Sequence, residues 1–325
     1  MIYLDKEQIF ARSNTPDLVE ALQVAFARPS FTPERMHCTL PGDDGATLLI
    51  MPAWQTRALL GVKIVSVMPE NPRKGLASIN GVHILINGET GAVQAILDAS
   101  ALTALRTSAV SALASRFLSR VNASCLLMVG TGALSEHLVR AHSTVRHIEK
   151  VIIWGRDPKK AQDLVARLGD LNIDISVATD LGGAVAAADI VSCATMSDRP
   201  LVQAAWVKPG CHIDLVGSFS PTMVEVDPHL LGRARLVVDT QVALKESGDL
   251  IGPLREGIIS APAVELSELA AGTVRGRSDA SEITVFKSVG TGLADIAAAR
   301  YLVEAGVAIR SDRSAAGDSG GMRLA

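Results

Sequence analysis

Hydrophobic and polar positions follow different rhythms in the two parts of this chain. Before about residue 100, a helical pattern around Thr15 to Ala27 precedes two apolar segments, TLLIMPAW and LLGVKIVSV, which predict strands. The segment GVHILINGETGAVQAIL then predicts two strands joined by a hairpin over Asn87–Gly91, because Asn and Gly tolerate a positive φ. This part of the chain is therefore expected to form an antiparallel α+β region.

From Ala101 onward the pattern becomes helical, in ALTALRTSAVSALASRFLS, and then alternates between strands and helices. The strands predicted between residues 124 and 240 are SCLLMVG, KVIIWG, IDISVA, DIVSCA, CHIDLVG and ARLVVDT. The helical segments between them include SEHLVRAHS, PKKAQDLVARLG and LGGAVAAA, and GLADIAAARYLVEAG predicts a later helix. Short aliphatic strands that alternate with helices predict a parallel sheet with right-handed crossovers.

Composition agrees with two packed domains and excludes several classes of protein. The 325 residues are about twice the usual domain length, and 48% are hydrophobic but only 3% aromatic, as is typical of aliphatic parallel sheets. A net charge of −3 leaves no excess of positive charge that would favour binding to nucleic acid or to an anionic membrane. No apolar stretch approaches about 18 residues, and the opening MIYLDKEQIF lacks a signal-peptide pattern. Four scattered cysteines, and seven histidines without metal-ligand spacing, favour a cytoplasmic protein with reduced thiols and no metal.

A glycine turn in SCLLMVGTGALSEHLVRAH carries the clearest functional signal. An apolar strand leads into Gly130-Thr131-Gly132, and a helix begins directly afterwards. In dinucleotide-binding folds the first glycine makes the tight turn, the second lets the pyrophosphate approach backbone amides, and the helix N-terminus favours negative charge. Ser135 stands at the third glycine position and is small enough for close packing of helix and strand. The residues of this turn predicted to bind a cofactor are Gly130, Thr131, Gly132, Ala133 and Leu134.

The end of the next predicted strand bears on the choice of cofactor. NAD-dependent sites usually place an acidic side chain there, where it accepts hydrogen bonds from the ribose hydroxyls. This chain has Gly155 followed by Arg156, and a guanidinium suits a 2′-phosphate; Lys159 or Lys160 would add positive charge. We therefore favour NADP(H). Asp157 keeps NAD(H) open, since it is near enough to turn towards the ribose, although it would also serve as a helix cap with the lysines in water.

Several motifs together resemble the ornithine cyclodeaminase/mu-crystallin family. They are MPAW, VKIVSVMPEN, NGETGAVQAILDA, ALRTSAVSALAS, VGTGA and VFKSVGTGLAD, with the region around Gly217, and they run from about Met1 to Gly306. The resemblance implies an α/β fold, in which a Rossmann-type doubly wound parallel sheet accompanies an α+β substrate-binding and dimerisation domain, and it implies a homodimer. The expected boundaries are residues 1–118 plus about 292–310 for the substrate domain, 119–291 for the nucleotide domain and 311–325 for a flexible tail.

The resemblance also implies which residues bind substrate and cofactor. Arg35, Lys63 and Arg106 would bind the carboxylate of an α-imino or α-keto acid, since Arg offers two parallel donors to that group. Thr107 lies beside Arg106 and belongs to the same substrate-binding set. Lys63 stands in the apolar strand GVKIV, where a charge without a partner would be costly. The remaining predicted cofactor contacts are Thr195, Met196, Val216, Ser218 and Val289.

Two departures from the family pattern favour a reductase over a cyclodeaminase. Cyclodeaminases carry a carboxylate just after a Gly-Gly pair, where this chain has Phe219, and a Glu before Met-Pro, where it has Ile50. Both apolar side chains suit the hydrocarbon ring of a cyclic imine. We therefore predict NAD(P)H-dependent reduction of Δ1-pyrroline-2-carboxylate or Δ1-piperideine-2-carboxylate to L-proline or L-pipecolate. Phe219 belongs to the predicted substrate site, and Lys63, or a water that it holds, is the predicted proton donor because no obvious carboxylate remains.

Three other functions stay open at this point. They are an alanine-type amino-acid dehydrogenase, an ornithine cyclodeaminase, and a non-catalytic NADPH-binding protein. Glu246 and Asp249 in KESGDL are expected on the surface rather than in acid–base chemistry. His83, inside GVHILIN, is the one histidine expected near the substrate cleft.

Overall fold

The computed structural model describes residues 1–42, 45–55 and 59–317, which form two compact units. The first unit contains Met1–Ala21, Pro29–Thr103 and the chain from Gly292 onward, and the second contains Leu22–Arg28 and Ala104–Thr291. The elements up to residue 118 are β1 (Ile2–Leu4), α1 (Lys6–Arg12), α2 (Thr15–Phe26), β2 (Met36–Thr39), β3 (Thr47–Gln55), β4 (Leu59–Val67), β5 (Ile79–Asn87), β6 (Val93–Asp98) and α3 (Ala99–Leu118). The later elements are β7 (Cys125–Val129), α4 (Ser135–Val145), β8 (Lys150–Trp154), α5 (Pro158–Arg167), β9 (Asp174–Val177), α6 (Leu181–Ala187), β10 (Ile190–Cys193), β11 (His212–Leu215), α7 (Pro228–Leu231), β12 (Arg235–Val238), α8 (Ala243–Glu246), α9 (Gly248–Arg255), β13 (Val264–Glu265), α10 (Leu266–Ala270), β14 (Thr284–Lys287) and α11 (Gly292–Gly317).

The first unit is built on a mixed sheet with strand order β1-β6-β5-β4-β3-β2. The four pairings between β2 and β6 (β2–β3, β3–β4, β4–β5 and β5–β6) are antiparallel, and β1 pairs with β6 in parallel. The predicted hairpin joins β5 and β6, with Asn87 Oδ1 accepting the N–H groups of Glu89 and Thr90. Along β4, every second residue from Leu59 to Val65 is buried. The helix α11 packs on β3, β4 and β5, and its approach is close, since a Cβ at Gly61 would lie 2.7 Å from Ile296 Cγ2.

The second unit contains a parallel sheet with strand order β13-β12-β14-β11-β10-β7-β8-β9. The chain proceeds from β7 outwards through β8 and β9 and then returns to β10 on the other side of β7. Ligands of such sheets bind outside the carboxyl ends of the strands at this reversal, here the ends of β7 and β10. The predicted doubly wound fold is confirmed. The sequence patterns missed β14, because TVFK is short and ends on a lysine.

The division into units falls inside α3 rather than after it. From Ala104 this helix groups with the second unit, where Ser111 Oγ donates to Asp214 Oδ1 at 2.9 Å. At the other end of the chain, α11 runs to Gly317 and so includes residues 311–317 of the expected tail. Residues 318–325 of that tail lie outside the described residues. None of the helices in the described part of the chain has the length and apolar character of a membrane span.

Candidate active site

The glycine turn after β7 has the shape that a dinucleotide phosphate requires. Gly130 has φ 120°, and a Cβ there would lie 2.6 Å from the carbonyl oxygen of Ala194, so only glycine fits. At Gly132 an added Cβ would meet no described atom within 4 Å, which leaves the backbone open to a ligand. The helix α4 begins directly afterwards with the fully buried Ser135. These residues fit a pyrophosphate at the N-terminus of α4.

The end of β8 lies beside this turn. A Cβ at Gly155 would be 2.7 Å from Thr131 Cγ2. Because glycine has no Cβ, the Thr131 side chain can pack directly against the backbone of residue 155. Asp157 caps α5, its Oδ1 accepting the backbone N–H groups of Lys159 at 2.9 Å and Lys160 at 3.4 Å. Arg156, like both lysines, is exposed to solvent. The Asp157 carboxylate therefore caps α5, and the side chains of Arg156, Lys159 and Lys160 are exposed near the end of β8.

Glu225 joins the loops that follow β10 and β11. Its Oε1 accepts the backbone N–H of Thr195 at 2.7 Å and the Thr195 hydroxyl at 2.8 Å. Its Oε2 accepts the backbone N–H groups of Gly217 at 2.8 Å and Ser218 at 3.2 Å. A Cβ at Gly217 would overlap the backbone of Thr195. Complete burial raises the pKa of Glu225 to about 7, although Lys287 and the Thr195 donors act in the opposite direction.

A buried ion pair between Lys287 and Asp249 holds the backbone of Glu225 in place. Lys287 Nζ lies 3.2 Å from Asp249 Oδ2, and both side chains are inaccessible to solvent. Asp249 Oδ1 also accepts the backbone N–H groups of Glu225 at 2.7 Å and Val226 at 3.3 Å. The expectation of a surface position was therefore wrong for Asp249, while Glu246 is half-buried. The segment KESGDL is polar, so its sequence favours the surface. Asp249 can be buried because Lys287 on β14 lies beside it.

Asp239 orders the turn that follows β14. Its Oδ2 accepts the Ser288 hydroxyl at 2.8 Å and the backbone N–H groups of Val289 at 3.1 Å and Gly290 at 2.7 Å. Burial raises the pKa of Asp239, although these hydrogen bonds act against the increase. A Cβ at Gly290 would lie 2.8 Å from both terminal nitrogens of Arg106, so the guanidinium packs against the turn. Two predicted site residues, Arg106 and Val289, thus belong to one buried group.

Lys63 is buried in the first unit beside a carboxylate that the sequence analysis did not identify. Its side chain is almost inaccessible to solvent, and Nζ lies 2.7 Å from Asp295 Oδ2 on α11. The cross-strand neighbours of Lys63 are Met51 on β3 and His83 on β5, which are also buried. The sequence analysis expected no carboxylate at the proton-donating site, and Asp295 beside Lys63 corrects that expectation. Two titratable side chains, Asp295 and His83, accompany the lysine within the same unit.

The other predicted site residues occupy varied positions. Arg35 is half-buried immediately before β2, and Thr107 is buried on α3 next to Arg106. Ser218 is fully buried and Val216 nearly so, at the end of β11. Phe219 and Met196 are 49% and 75% exposed, and Ala133 is also exposed, whereas Leu134 is half-buried. No group of three or more metal-ligating side chains occurs in the ranges that the structure describes.

Comparison with known proteins agrees with this architecture. The family model described as "Ornithine cyclodeaminase/mu-crystallin family" matches residues 3–308. The chain belongs to the ornithine cyclodeaminase/mu-crystallin family. The predicted resemblance is confirmed over nearly the whole sequence.

Several proteins of named activity are similar to the chain over most of their length. A Δ1-pyrroline-2-carboxylate reductase of Paracoccus denitrificans is 36% identical over 88% of this chain and 91% of its own. The structure of Thermococcus litoralis Δ1-pyrroline-2-carboxylate reductase in complex with NADH and L-proline has a TM-score of 0.89 and 31% identity, covering 94% of this chain and 98% of that chain. An archaeal alanine dehydrogenase dimer with bound NAD has a TM-score of 0.88 and 29% identity, covering 95% and 97%.

Sequence signals existed for some of the residues that the sequence analysis missed. Lys287 interrupts the apolar segment TVFKSV as Lys63 interrupts GVKIVSV, and the same argument about a buried charge applies to both. Asp295 lies in VFKSVGTGLAD, one of the family motifs. Glu225 and Asp239 stand in ordinary loop and strand-end contexts. Nothing local distinguishes these two carboxylates from surface residues.

Proposed function

We propose that this protein catalyses the NAD(P)H-dependent reduction of a cyclic ketimine, Δ1-pyrroline-2-carboxylate or Δ1-piperideine-2-carboxylate, to L-proline or L-pipecolate. The observation that carries the proposal is the buried ammonium of Lys63, held 2.7 Å from Asp295. A buried cation suits an anionic substrate and also has a proton to donate. The similar Δ1-pyrroline-2-carboxylate reductases support the same reaction class.

Substrate binding is assigned to three cations from the predicted set. Arg35, Lys63 and Arg106 would bind the substrate carboxylate, with Thr107 next to Arg106. Positioning of this kind contributes up to roughly 7–11 kcal/mol in the best cases. For Arg106, the preorganisation comes from the turn that Asp239 orders. Phe219, at a position where cyclodeaminases have a carboxylate, would contact the apolar ring and cannot bind an additional ammonium group.

The proton required at the imine nitrogen is assigned to Lys63. Reduction of C=N adds a hydride to carbon and a proton to nitrogen, so the protein must supply one proton per turnover. Lys63 Nζ has protons to give, and Asp295 Oδ2 at 2.7 Å stabilises its charged form before the transfer. After the transfer, the neutral amine of Lys63 is reprotonated from solvent. Asp295 thus supplies the carboxylate that the sequence analysis did not find.

The residues after β7, β8, β10 and β11 fit a nicotinamide dinucleotide. When bound, its reduced ring would supply the hydride. Gly130, Thr131 and Gly132 would hold the pyrophosphate, because the turn is open at Gly132 and precedes the N-terminus of α4. The remaining residues that would hold the cofactor are Ala133, Leu134, Gly155, Arg156, Asp157, Lys160, Thr195, Met196, Val216, Ser218 and Val289.

Replacement of Arg156 by alanine is expected to weaken NADPH binding by about 10- to 100-fold and to leave NADH binding nearly unchanged. Arg156 is exposed beside Gly155, and Asp157 is engaged in capping α5, so a 2′-phosphate would meet a cation there. The dissociation constants of both cofactors are measured by fluorescence titration. Arg255→Ala, on the exposed end of α9, is the matched control. An equal loss for NADPH and NADH would remove the preference for NADP(H).

The reaction itself is tested by a cofactor-oxidation screen of cyclic imino acids with NADPH and NADH side by side. Turnover of Δ1-pyrroline-2-carboxylate or its six-membered homologue supports the proposal. Turnover of pyruvate plus ammonium, without turnover of a cyclic imine, would indicate an alanine-type dehydrogenase. The similar archaeal alanine dehydrogenase is the reason to include this assay. Ammonia release from L-ornithine would indicate a cyclodeaminase. Cofactor binding without any turnover would indicate a non-catalytic binding protein.

The proposed assembly is a homodimer formed through the first unit. Phe31 and Trp54 stack with ring centroids 4.6 Å apart, yet both remain exposed, as does Met36 on β2. Exposed aromatic and thioether side chains at one sheet edge suit a protein interface. The archaeal alanine dehydrogenase, described as a dimer, supports this assembly.

A further inference from the structure

We propose that Glu225 is a positioning residue whose ionised carboxylate holds the loops after β10 and β11 in the conformation that binds the nicotinamide cofactor, so that cofactor affinity is linked to pH. The inference rests on the proposed cofactor site, because Thr195 and Ser218 belong to it. It adds a residue with no contact assigned to substrate or cofactor. It also adds a proton-linked step that the proposed reaction does not require.

The hydrogen-bond geometry favours a carboxylate over its protonated form, because three of the four groups that face it are backbone N–H groups that can only donate. Oε1 accepts both donors of Thr195, and Oε2 accepts the backbone N–H groups of Gly217 and Ser218. An ionised carboxylate has about four acceptor sites and no donor, so it satisfies all four groups. An amide would direct a hydrogen at one of these N–H groups, and a carboxylic acid would either do the same or force the Thr195 hydroxyl to change from donor to acceptor. Protonation therefore disturbs one loop while the other keeps its hydrogen bonds.

Both loops lie where the fold places its ligand. They follow adjacent parallel strands, β10 and β11, at the carboxyl ends of the sheet. The first loop also touches the phosphate-binding turn, since a Cβ at Gly130 would lie 2.6 Å from the oxygen of Ala194, which precedes Thr195. A change in the hydrogen bonds of Glu225 would thus reach the glycine turn through a single backbone contact. Cofactor affinity is the property expected to respond.

The charged and titratable groups around Glu225 come from three elements. Lys287 on β14 and Asp249 on α9 form the buried ion pair beside it, and Cys193 ends β10. Burial and the charge of Asp249 raise the pKa of Glu225 to about 7, and Lys287 opposes them. Burial also raises the pKa of Cys193 well above its usual value, so this thiol stays neutral. As pH falls through about 7, Glu225 takes up a proton and the four-donor arrangement is lost.

The test measures NADH binding without substrate between about pH 5.5 and 8.5. NADH is the probe because it lacks the 2′-phosphate, and phosphate monoesters themselves titrate near pH 6. For the native protein, the dissociation constant is expected to rise by about tenfold per pH unit below the midpoint near 7. Glu225→Gln is expected to bind NADH about 10- to 100-fold more weakly at pH 8, with little dependence on pH.

Two further variants separate positioning from a general loss of structure. Glu256→Gln replaces an exposed glutamate after α9 and should keep native affinity and pH dependence. Glu225→Asp keeps the charge on a shorter side chain, so it should bind more weakly than the native protein but retain the pH dependence. At saturating cofactor, the KM for the imine should be unchanged in both Glu225 variants. These outcomes would not follow from a merely destabilised fold, which thermal unfolding of each variant reports separately.

The inference is overturned if native affinity for NADH is flat across this pH range, or if Glu225→Gln binds as the native protein does. A pH dependence that persists in Glu225→Gln would also assign the titration to another group. Failure of imine turnover with intact, pH-linked NADH binding would contradict only the proposed reaction. Failure of the native protein to bind NADH or NADPH at any pH would overturn the proposed cofactor site together with this inference.

Discussion

Replacement of Lys63 by methionine is expected to lower kcat/KM for cyclic imine reduction by about a thousandfold or more, with NADH affinity nearly unchanged. Methionine preserves most of the side-chain length but removes both the positive charge and the proton. The substrate would lose a carboxylate contact and its proton donor at once. The glycine turn belongs to the other unit, so cofactor binding should persist. Steady-state kinetics and NADH fluorescence titration on the same preparation measure both effects.

The variant also removes the ammonium 2.7 Å from a buried carboxylate, so its folding must be controlled. The double variant Lys63→Met, Asp295→Asn removes both charges and should recover stability without recovering activity. Lys150→Met, at the exposed start of β8, is the matched lysine control and should behave as the native protein. If the double variant folds and its kcat/KM stays within about tenfold of the native value, Lys63 is not the proton donor.

Replacement of Lys287 by methionine is expected to lower the free energy of unfolding by about 3–5 kcal/mol. Lys287 and Asp249 form an ion pair 3.2 Å apart, and neither side chain is accessible to solvent. Without the ammonium, the Asp249 carboxylate must stay charged in an apolar interior or take up a proton. A protonated Asp249 would also accept weaker hydrogen bonds from the backbone N–H groups of Glu225 and Val226. Urea-induced unfolding, followed by circular dichroism, measures the change.

An exposed ion pair supplies the comparison for this prediction. Arg300 and Glu304 lie 2.7 Å apart on α11 with half or more of each side chain in solvent. Arg300→Met should therefore cost less than about 1 kcal/mol. A double variant, Lys287→Met with Asp249→Asn, should be more stable than Lys287→Met alone because no charge is left in the interior. Equal losses for the buried and exposed pairs would show that burial does not govern the energy of the Lys287–Asp249 contact.

Candidate site residues could be proposed from the sequence where a local pattern marks them. Gly130 and Gly132 follow an aliphatic strand and precede a helix, which predicts a phosphate-binding turn without tertiary information. Lys63 stood out because a single lysine interrupts alternating apolar residues, and the structure confirms that it is buried. The burial of Lys63 was thus predictable, but its partner Asp295 was not, since that residue lies on the helix α11 near the other end of the chain.

Buried carboxylates in polar segments were beyond the reach of sequence patterns. Asp249 lies in KESGDL, which by composition favours the surface. Its burial depends on Lys287 in β14, a strand that the patterns did not predict. Glu225 is likewise buried because donors from two separate loops converge on it. The energy of such a group is decided by partners that are close in space and distant along the chain.

Sequence alone predicted the parallel sheet, most of its strands and helices, the candidate phosphate turn and membership of the family, because periodicity, glycine positions and short motifs are local properties. Tertiary structure decided which charges are buried together: Lys63 with Asp295, and Lys287 with Asp249. A charge is tolerated in the interior only when an opposite charge or hydrogen-bond donors lie within a few ångströms. That distance is set by how strands and helices from remote segments pack, and no linear pattern contains it.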